Sequence, residues 1–240
     1  MKKLLAKIFD LILPPICLTC DEKVRKYGDI CYNCFNKFHF VTEPKCKTCD
    51  LPLQNLYFQS LCDDCTNLTP HFNRLISLIV YNDFSHQIIL NLKFNDKPNA
   101  AFYLSHLLAK KVRSEFTFDI IAPIPISKRR LRERKFNQSI LIAKVISKTD
   151  KKPIIPNLLI KNPSTKKQTG LNRNLRKANI KNAFSVNTKY NIQNKTILLV
   201  DDVATTYATL DEAAKVLKKS GAKAVFCATL CRTPKITEYI

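Results

Sequence analysis

Glycine is nearly missing from this chain, with 3 residues in 240, beside 1 methionine and no tryptophan. Lysine, asparagine and isoleucine are abundant instead, the bias expected of an AT-rich coding sequence. No apolar run reaches the roughly 18 residues of a membrane span. Met1 to Leu13 holds basic residues and leucines, but Lys7 and Asp10 interrupt it and no small-residue cleavage site follows before Cys17. That pattern argues against a signal peptide and predicts a short amphipathic helix. Gln54–Ser60 looks like a protease tag site, yet it lies inside a cysteine-rich stretch and is read as native. Low-complexity tracts are absent, and so is any repeat beyond paired cysteines.

Acidic side chains are scarce too: 19 against 40 Lys and Arg, a net charge of +21. The excess is localised. Residues 128–181 carry 17 basic and 2 acidic side chains, whereas residues 1–70 carry 9 and 8. A field of that sign attracts polyanions, whether phosphorylated small molecules or nucleic acid. The plainer alternative is a lysine-heavy solvated surface. Phe136 and Phe184 are the only aromatics near the basic block. Binding of single-stranded DNA there would be driven by charge, blind to sequence and steeply salt-dependent.

Ten cysteines are present, and eight form Cys-x-x-Cys pairs: Cys17/Cys20, Cys31/Cys34, Cys46/Cys49 and Cys62/Cys65. Such a knuckle aims two thiolates at one point, and two knuckles complete a tetrahedral site suited to Zn²⁺. Four knuckles predict two structural zincs, with sequential pairing favoured over interleaved because each half then resembles a zinc ribbon. One zinc with spare thiols, or a redox pair, is the alternative. Four protein ligands leave no open position for catalysis. A cysteine-rich segment with few large apolar side chains needs such metals to fold. Reduced thiolates imply a reducing compartment, the cytoplasm. Cys227 and Cys231 lie in an apolar strand pattern and are expected to share one face as core residues.

Beyond about residue 71 the pattern alternates strand and helix. Strands are expected at Leu75–Tyr81, Asp119–Ile124, Thr196–Asp202 and Val225–Leu230. Helices are expected over Ala101–Val112 and Asn137–Lys148, with another striped by Leu210, Ala213 and Leu217 and capped at Gly221. The fold class is therefore α/β: a doubly wound, mostly parallel sheet over residues 71–240, preceded by a small cysteine-rich zinc module within residues 1–70. Ligands in such sheets bind beyond the carboxyl ends of the strands.

Residues 197–209, Ile-Leu-Leu-Val-Asp-Asp-Val-Ala-Thr-Thr-Tyr-Ala-Thr, are the most telling stretch. A buried strand delivers Asp201 and Asp202 to the sheet edge. Ala204, Thr205, Thr206, Tyr207, Ala208 and Thr209 follow as a loop of amides and hydroxyls that opens a helix, a favourable seat for phosphate. The stretch resembles the 13-residue signature of type I phosphoribosyltransferases, which bind phosphoribosyl pyrophosphate (PRPP). The resemblance implies that the two carboxylates accept the ribose hydroxyls and favour Mg²⁺ on the pyrophosphate, while the loop holds the 5′-phosphate.

The resemblance extends through most of residues 71–232 and points to the ComF/GntX family. It includes Pro123-Ile124-Pro125, the cluster Arg129, Arg130, Arg132 and Arg134, and Phe136-Asn137-Gln138. It includes Gln168-Thr169-Gly170-Leu171 followed by Arg173, Arg176, Asn179 and Phe184. The four knuckles match the double zinc ribbon that precedes this domain in the family. The family is associated with competence for natural transformation, which implies single-stranded DNA and a DNA-uptake helicase as partners. The resemblance further implies Lys93 near the pyrophosphate loop, and a lid over 164–181 whose Arg173 and Arg176 reach the leaving group. Nothing in the sequence names the acceptor. Two positions depart from the pattern. Tyr207 and Lys135 stand where the family has glycine, which accepts positive φ and close approach of phosphate. The Tyr207 ring is expected to crowd the phosphate pocket. Either the backbone adjusts at both positions, or PRPP binding weakens and the fold survives as a sensor or scaffold.

Overall fold

Four buried runs account for the central sheet: β1 (Arg74–Val80), β2 (Ile120–Pro123), β5 (Thr196–Ala204) and β6 (Ala224–Arg232). All pair in parallel in the order β1-β6-β5-β2, so their carboxyl ends share one edge. The computed structural model describes residues 14–20, 22–53, 60–94, 99–162 and 182–235. The N-terminal helix expected at Met1 to Leu13 and the lid over 164–181, with Arg173 and Arg176, lie outside the described residues. Strand β5 runs two residues past the expected end at Asp202, because Val203 and Ala204 still pair with Cys231 and Arg232.

Both faces of the sheet are covered, as a parallel sheet requires. Helix α7 (Ala208–Lys219) buries Leu210, Ala213 and Leu217 against Ile197, Leu199 and Val225. Its end is the expected one: Gly221 has φ +95°, and the Ala222 amide bonds back to the Leu217 carbonyl at 3.1 Å. The opposite face receives α3 (Asp83–Phe94), α4 (Asn99–Glu115) and α6 (Gln138–Asp150), through Ile88, Leu104, Leu108 and Ile142 packed on Ile76, Leu198 and Val200. Helix α3 was not anticipated. Asn82 and Ser85 cap it reciprocally, each backbone amide bonding to the other's side chain at 2.8 Å. Two short strands, β3 (Leu159–Lys161) and β4 (Phe184–Val186), form a separate antiparallel ribbon that period-two patterning was too brief to signal.

Among the described residues no helix is long and apolar enough to cross a membrane. Cys227 and Cys231 are fully buried, as expected of core residues, but they do not share a face. Cys227 packs on the α7 side and Cys231 on the other, beside Leu230. Alternation lapses at the carboxyl end of β6, where the Thr229 hydroxyl donates to the Cys231 carbonyl at 3.2 Å.

Cysteines 17, 20, 31 and 34 gather in one cluster and cysteines 46, 49, 62 and 65 in another, the sequential pairing. Two short helices, α1 (Tyr32–Phe35) and α2 (Asp63–Asn67), begin within the second knuckle of each cluster. The clusters are embedded differently. The first forms its own small core with Val24, Ile30 and Phe84, of which Ile30 and Phe84 also touch the main core on the α3 side. The second is continuous with the main core through Phe72, Leu75, Ala204 and Tyr207.

Candidate functional site: an acidic strand end beside a phosphate-type loop

Strand β5 carries Asp201 and Asp202 to the carboxyl edge of the sheet between β2 and β6. Asp201 is half-buried. Its Oδ1 accepts from the Ser139 hydroxyl at 2.9 Å and from the Asp202 amide at 2.9 Å. Ser139 is placed by Asn137, which caps α6 through the Ser139 amide at 3.0 Å and donates its side-chain amide to the Ile124 carbonyl at 2.9 Å. The Phe-Asn-Gln-Ser run thus docks a helix start on the end of β2 and turns one hydroxyl toward the acids. Asp202 pairs with Lys93 at 3.0 Å and accepts from the Val203 amide at 2.8 Å. Lys93 reaches this acid from the last turn of α3.

Burial, then the neighbouring Asp202 charge, push the Asp201 carboxyl up to about 7, against the lowering effect of Ser139 and the Asp202 amide. A carboxyl raised in the folded state loses folding free energy as pH climbs from its unfolded value near 4 through 7. Asp201→Asn is therefore expected to raise the melting temperature at pH 8, by up to about 4 kcal/mol of stability. The gain should shrink toward zero at pH 4. Equal gains at both pH values, read by calorimetry, would refute this assignment.

Cations surround the acids. Helix α5 (Lys128–Arg134), capped by the Ser127 hydroxyl on the Arg130 amide, follows the carboxyl end of β2. Arg134 donates to Gln138 at 3.2 Å and lies within the field of Asp201, Asp202 and Arg130. Lys161, on the ribbon, has its ammonium 5.7 Å from the centre of the Phe184 ring. Burial and the Arg130 charge lower it, opposed by Asp201. Sequence reasoning gave Lys161 no role, because a lone lysine in a three-residue strand carries no signal.

The loop after β5 enters α7 through Tyr207, whose φ is +48°, with no side-chain cap on the helix amides. Lys135 likewise has φ +62°. Both glycine-like positions therefore keep a left-handed backbone, which costs a non-glycine residue about 1–2 kcal/mol. The expected crowding by Tyr207 does not occur. Its side chain is buried away from solvent, edge-on to Phe72 with ring centres 5.5 Å apart, and its hydroxyl lies 3.9 Å from Cys65 Sγ. Apolar and sulfur contacts on the zinc-module side draw the ring there. Ala204 is buried, Thr205 is exposed, and Thr206, Ala208 and Thr209 are half-buried at the loop surface.

The sulfur clusters suit zinc. All four Sγ atoms of each lie within 4.8 Å of one another. Cys20–Cys31 and Cys49–Cys62 approach to 3.7 and 3.6 Å. A tetrahedron with Zn–S near 2.3 Å has edges of about 3.8 Å. Burial disfavours the Cys17 thiolate, but hydrogen bonds from Thr19 and from the Cys31 and Thr19 amides bring that thiol down to about 6.

Residues 8–66 match the double zinc ribbon domain and residues 158–239 the phosphoribosyl transferase domain. The chain is 30% identical over 230 residues to the DNA utilization protein YhgH of Escherichia coli K12, covering 93% of this chain and 99% of that protein. It is 30% identical over 243 residues to competence protein ComFC of Bacillus subtilis 168, covering 91% of this chain and 95% of that one. A purine phosphoribosyltransferase structure from Pyrococcus horikoshii is 19% identical, with a TM-score of 0.36 over 54% of this chain and 70% of that one. With its N-terminal double zinc ribbon and C-terminal phosphoribosyltransferase domain, the chain belongs to the family of ComF, YhgH and ComFC competence proteins.

Proposed function

We propose that the β5 edge binds PRPP with Mg²⁺ and transfers its phosphoribosyl group to an acceptor yet to be identified. The observation that supports this most is the adjacent pair Asp201 and Asp202 at a strand end, directly before an uncapped helix start. In this reading the carboxylates accept the two ribose hydroxyls, and the Thr205–Thr209 amides and hydroxyls take the 5′-phosphate. Lys93, Arg134 and Lys161 offset the pyrophosphate charge. Mg²⁺, held by the acids and the pyrophosphate, would supply charge neutralisation for the leaving group. Arg173 and Arg176, from the lid, would meet that group and exclude water.

Titration calorimetry of PRPP with Mg²⁺ into zinc-loaded protein tests the reading. Saturable binding is expected, weakened about 10–100-fold by Asp201→Asn or Asp202→Asn, since a hydrogen bond to a charged group contributes about 1.5–3 kcal/mol. Absence of binding to folded protein, or binding indifferent to both substitutions, would sink it.

A second reading has support in α5, where Lys128, Arg129, Arg130 and Arg132 are all exposed. Here the protein is a non-catalytic accessory that binds single-stranded DNA and a DNA-uptake helicase, with the PRPP site degenerate. It requires DNA affinity that falls steeply with salt and persists in Asp201→Asn.

A further inference from the structure

Arg232, the last residue of β6, is only 1% exposed, and its guanidinium lies between two parts of the protein far apart in sequence. On one side Nε donates to the Cys49 carbonyl at 2.9 Å, and Nη2 lies 3.5 Å from Cys49 Sγ. On the other, Nη1 donates to the carbonyls of Ala204 at 3.0 Å, Thr205, and Thr233 at 3.2 Å. One side chain thus binds a knuckle of the second cysteine cluster and the backbone that begins the phosphate-type loop. A planar fork of five donors can do this; an ammonium cannot reach both sides.

Tyr207 makes the same connection from the other end of the loop. Its backbone sits at φ +48°, where glycine would be unstrained. Contacts of the ring offset that strain. Phe72 meets it edge-on, the Arg232 guanidinium lies 5.8 Å from its centre, and Cys65 Sγ is 3.9 Å from its hydroxyl. The departure from glycine therefore ties the loop to the metal cluster. Among the described residues the first cluster has no such tie: its core includes Cys20, Val24, Ile30 and Phe84 and no residue of 204–209.

We propose that the second four-cysteine site positions the phosphate loop, with Arg232 and Tyr207 as the positioning residues, so that zinc occupancy there and phosphate binding are thermodynamically linked. The phosphate half of this proposal rests on the PRPP reading; the coupling between metal and loop does not. A zinc-bound thiolate accepts hydrogen bonds only, so the Tyr207 hydroxyl and the Arg232 fork act as outer-shell donors to Cys65 and Cys49. Such partners typically change metal affinity 10–100-fold. Linkage is reciprocal: whatever fixes the loop must hold the zinc more tightly by the same factor.

The test uses the zinc-loaded full chain. Cysteine alkylation by N-ethylmaleimide, read peptide by peptide in a mass spectrometer, separates the two clusters. Amide hydrogen exchange over 203–209 reads the loop. Tyr207→Phe removes only the hydroxyl and retains the ring packing, so folding is not at risk. It should speed alkylation of Cys46, Cys49, Cys62 and Cys65 about tenfold, leave Cys17, Cys20, Cys31 and Cys34 unchanged, and raise exchange in the loop. Arg232→Lys should show the same selectivity with a larger effect. Adding PRPP with Mg²⁺ should slow alkylation of the second cluster alone. If Tyr207→Phe and Arg232→Lys both leave second-cluster alkylation and loop exchange at wild-type values, the coupling is refuted. If the variants behave as expected and PRPP neither binds nor protects, the coupling stands and the PRPP reading fails.

Discussion

Replacing Asp50 by alanine is expected to cost about 3–5 kcal/mol of global stability, the usual penalty for breaking a buried ion pair from one side. Asp50 follows the knuckle Cys46/Cys49 and is fully buried. Its carboxylate meets Lys45 at 3.0 Å and Lys111 at 3.5 Å, and accepts from the Ser77 amide at 2.9 Å. Lys111 also donates to the Ser77 carbonyl at 2.8 Å. The acid therefore holds the metal-binding segment, β1 and α4 together. Burial lowers the Lys111 ammonium, and Asp50 works against that effect. Without the carboxylate, two partly buried amines lose their anionic partner, Lys111 retaining only carbonyl acceptors, and one strand amide loses its acceptor. Asp50→Asn retains the shape and an acceptor for Ser77, so it should lose less. Denaturant titration in zinc buffer measures both. An alanine variant within about 1 kcal/mol of wild type would show that the clamp contributes little.

The second large effect is an asymmetry between the metal sites. Cys46→Ser should abolish the cooperative unfolding transition at 25 °C, whereas Cys31→Ser should leave the sheet transition in place and melt only the segment around the first cluster. Structural zinc contributes an apparent 10–16 kcal/mol, comparable to the whole stability of a domain. What decides the outcome is where that energy is coupled. Cys46, Cys49, Cys62 and Cys65 belong to the same packed cluster as Leu75, Leu199 and Leu217, while Cys17, Cys31 and Cys34 form a separate one. Near-ultraviolet dichroism and hydrogen exchange of β5 distinguish the cases. Equal loss of β5 protection in both variants would contradict the asymmetry.

Strand β5, α7 and the two sulfur clusters were legible in sequence because their signals are local. Four apolar residues before two acids, a stripe at helical spacing, and knuckles at regular intervals each lie within a few turns of chain. The roles of Arg232, Ser139 and Asp50 were not legible. Arg232 meets Cys49 across 183 positions, and Ser139 meets Asp201 across 62. A buried arginine at the end of an apolar strand reads from sequence as the first solvated residue after it. Tyr207 shows the limit most clearly. The family resemblance marked it as a departure from glycine and linked it to positive φ, but the direction of its ring depends on Phe72 and on Cys65 of the zinc module. Lys93, which the family resemblance sets near the pyrophosphate loop, pairs with Asp202 from the last turn of helix α3, a contact no local pattern announces.

The pairing of β1 with β6 sets a schedule for synthesis. Ser77 meets Thr229 across 152 positions, so the ribosome must make nearly the whole C-terminal domain before the first strand finds its neighbour in the parallel sheet. The cysteine knuckles, by contrast, close over short loops and can take up metal as they emerge. A nascent chain would therefore carry folded metal sites ahead of a largely apolar strand that meets residues 39–41 on one edge but lacks its sheet neighbour on the other for most of its translation. Such edges recruit other chains when left waiting. Cells short of zinc should show this protein aggregating during synthesis rather than after it.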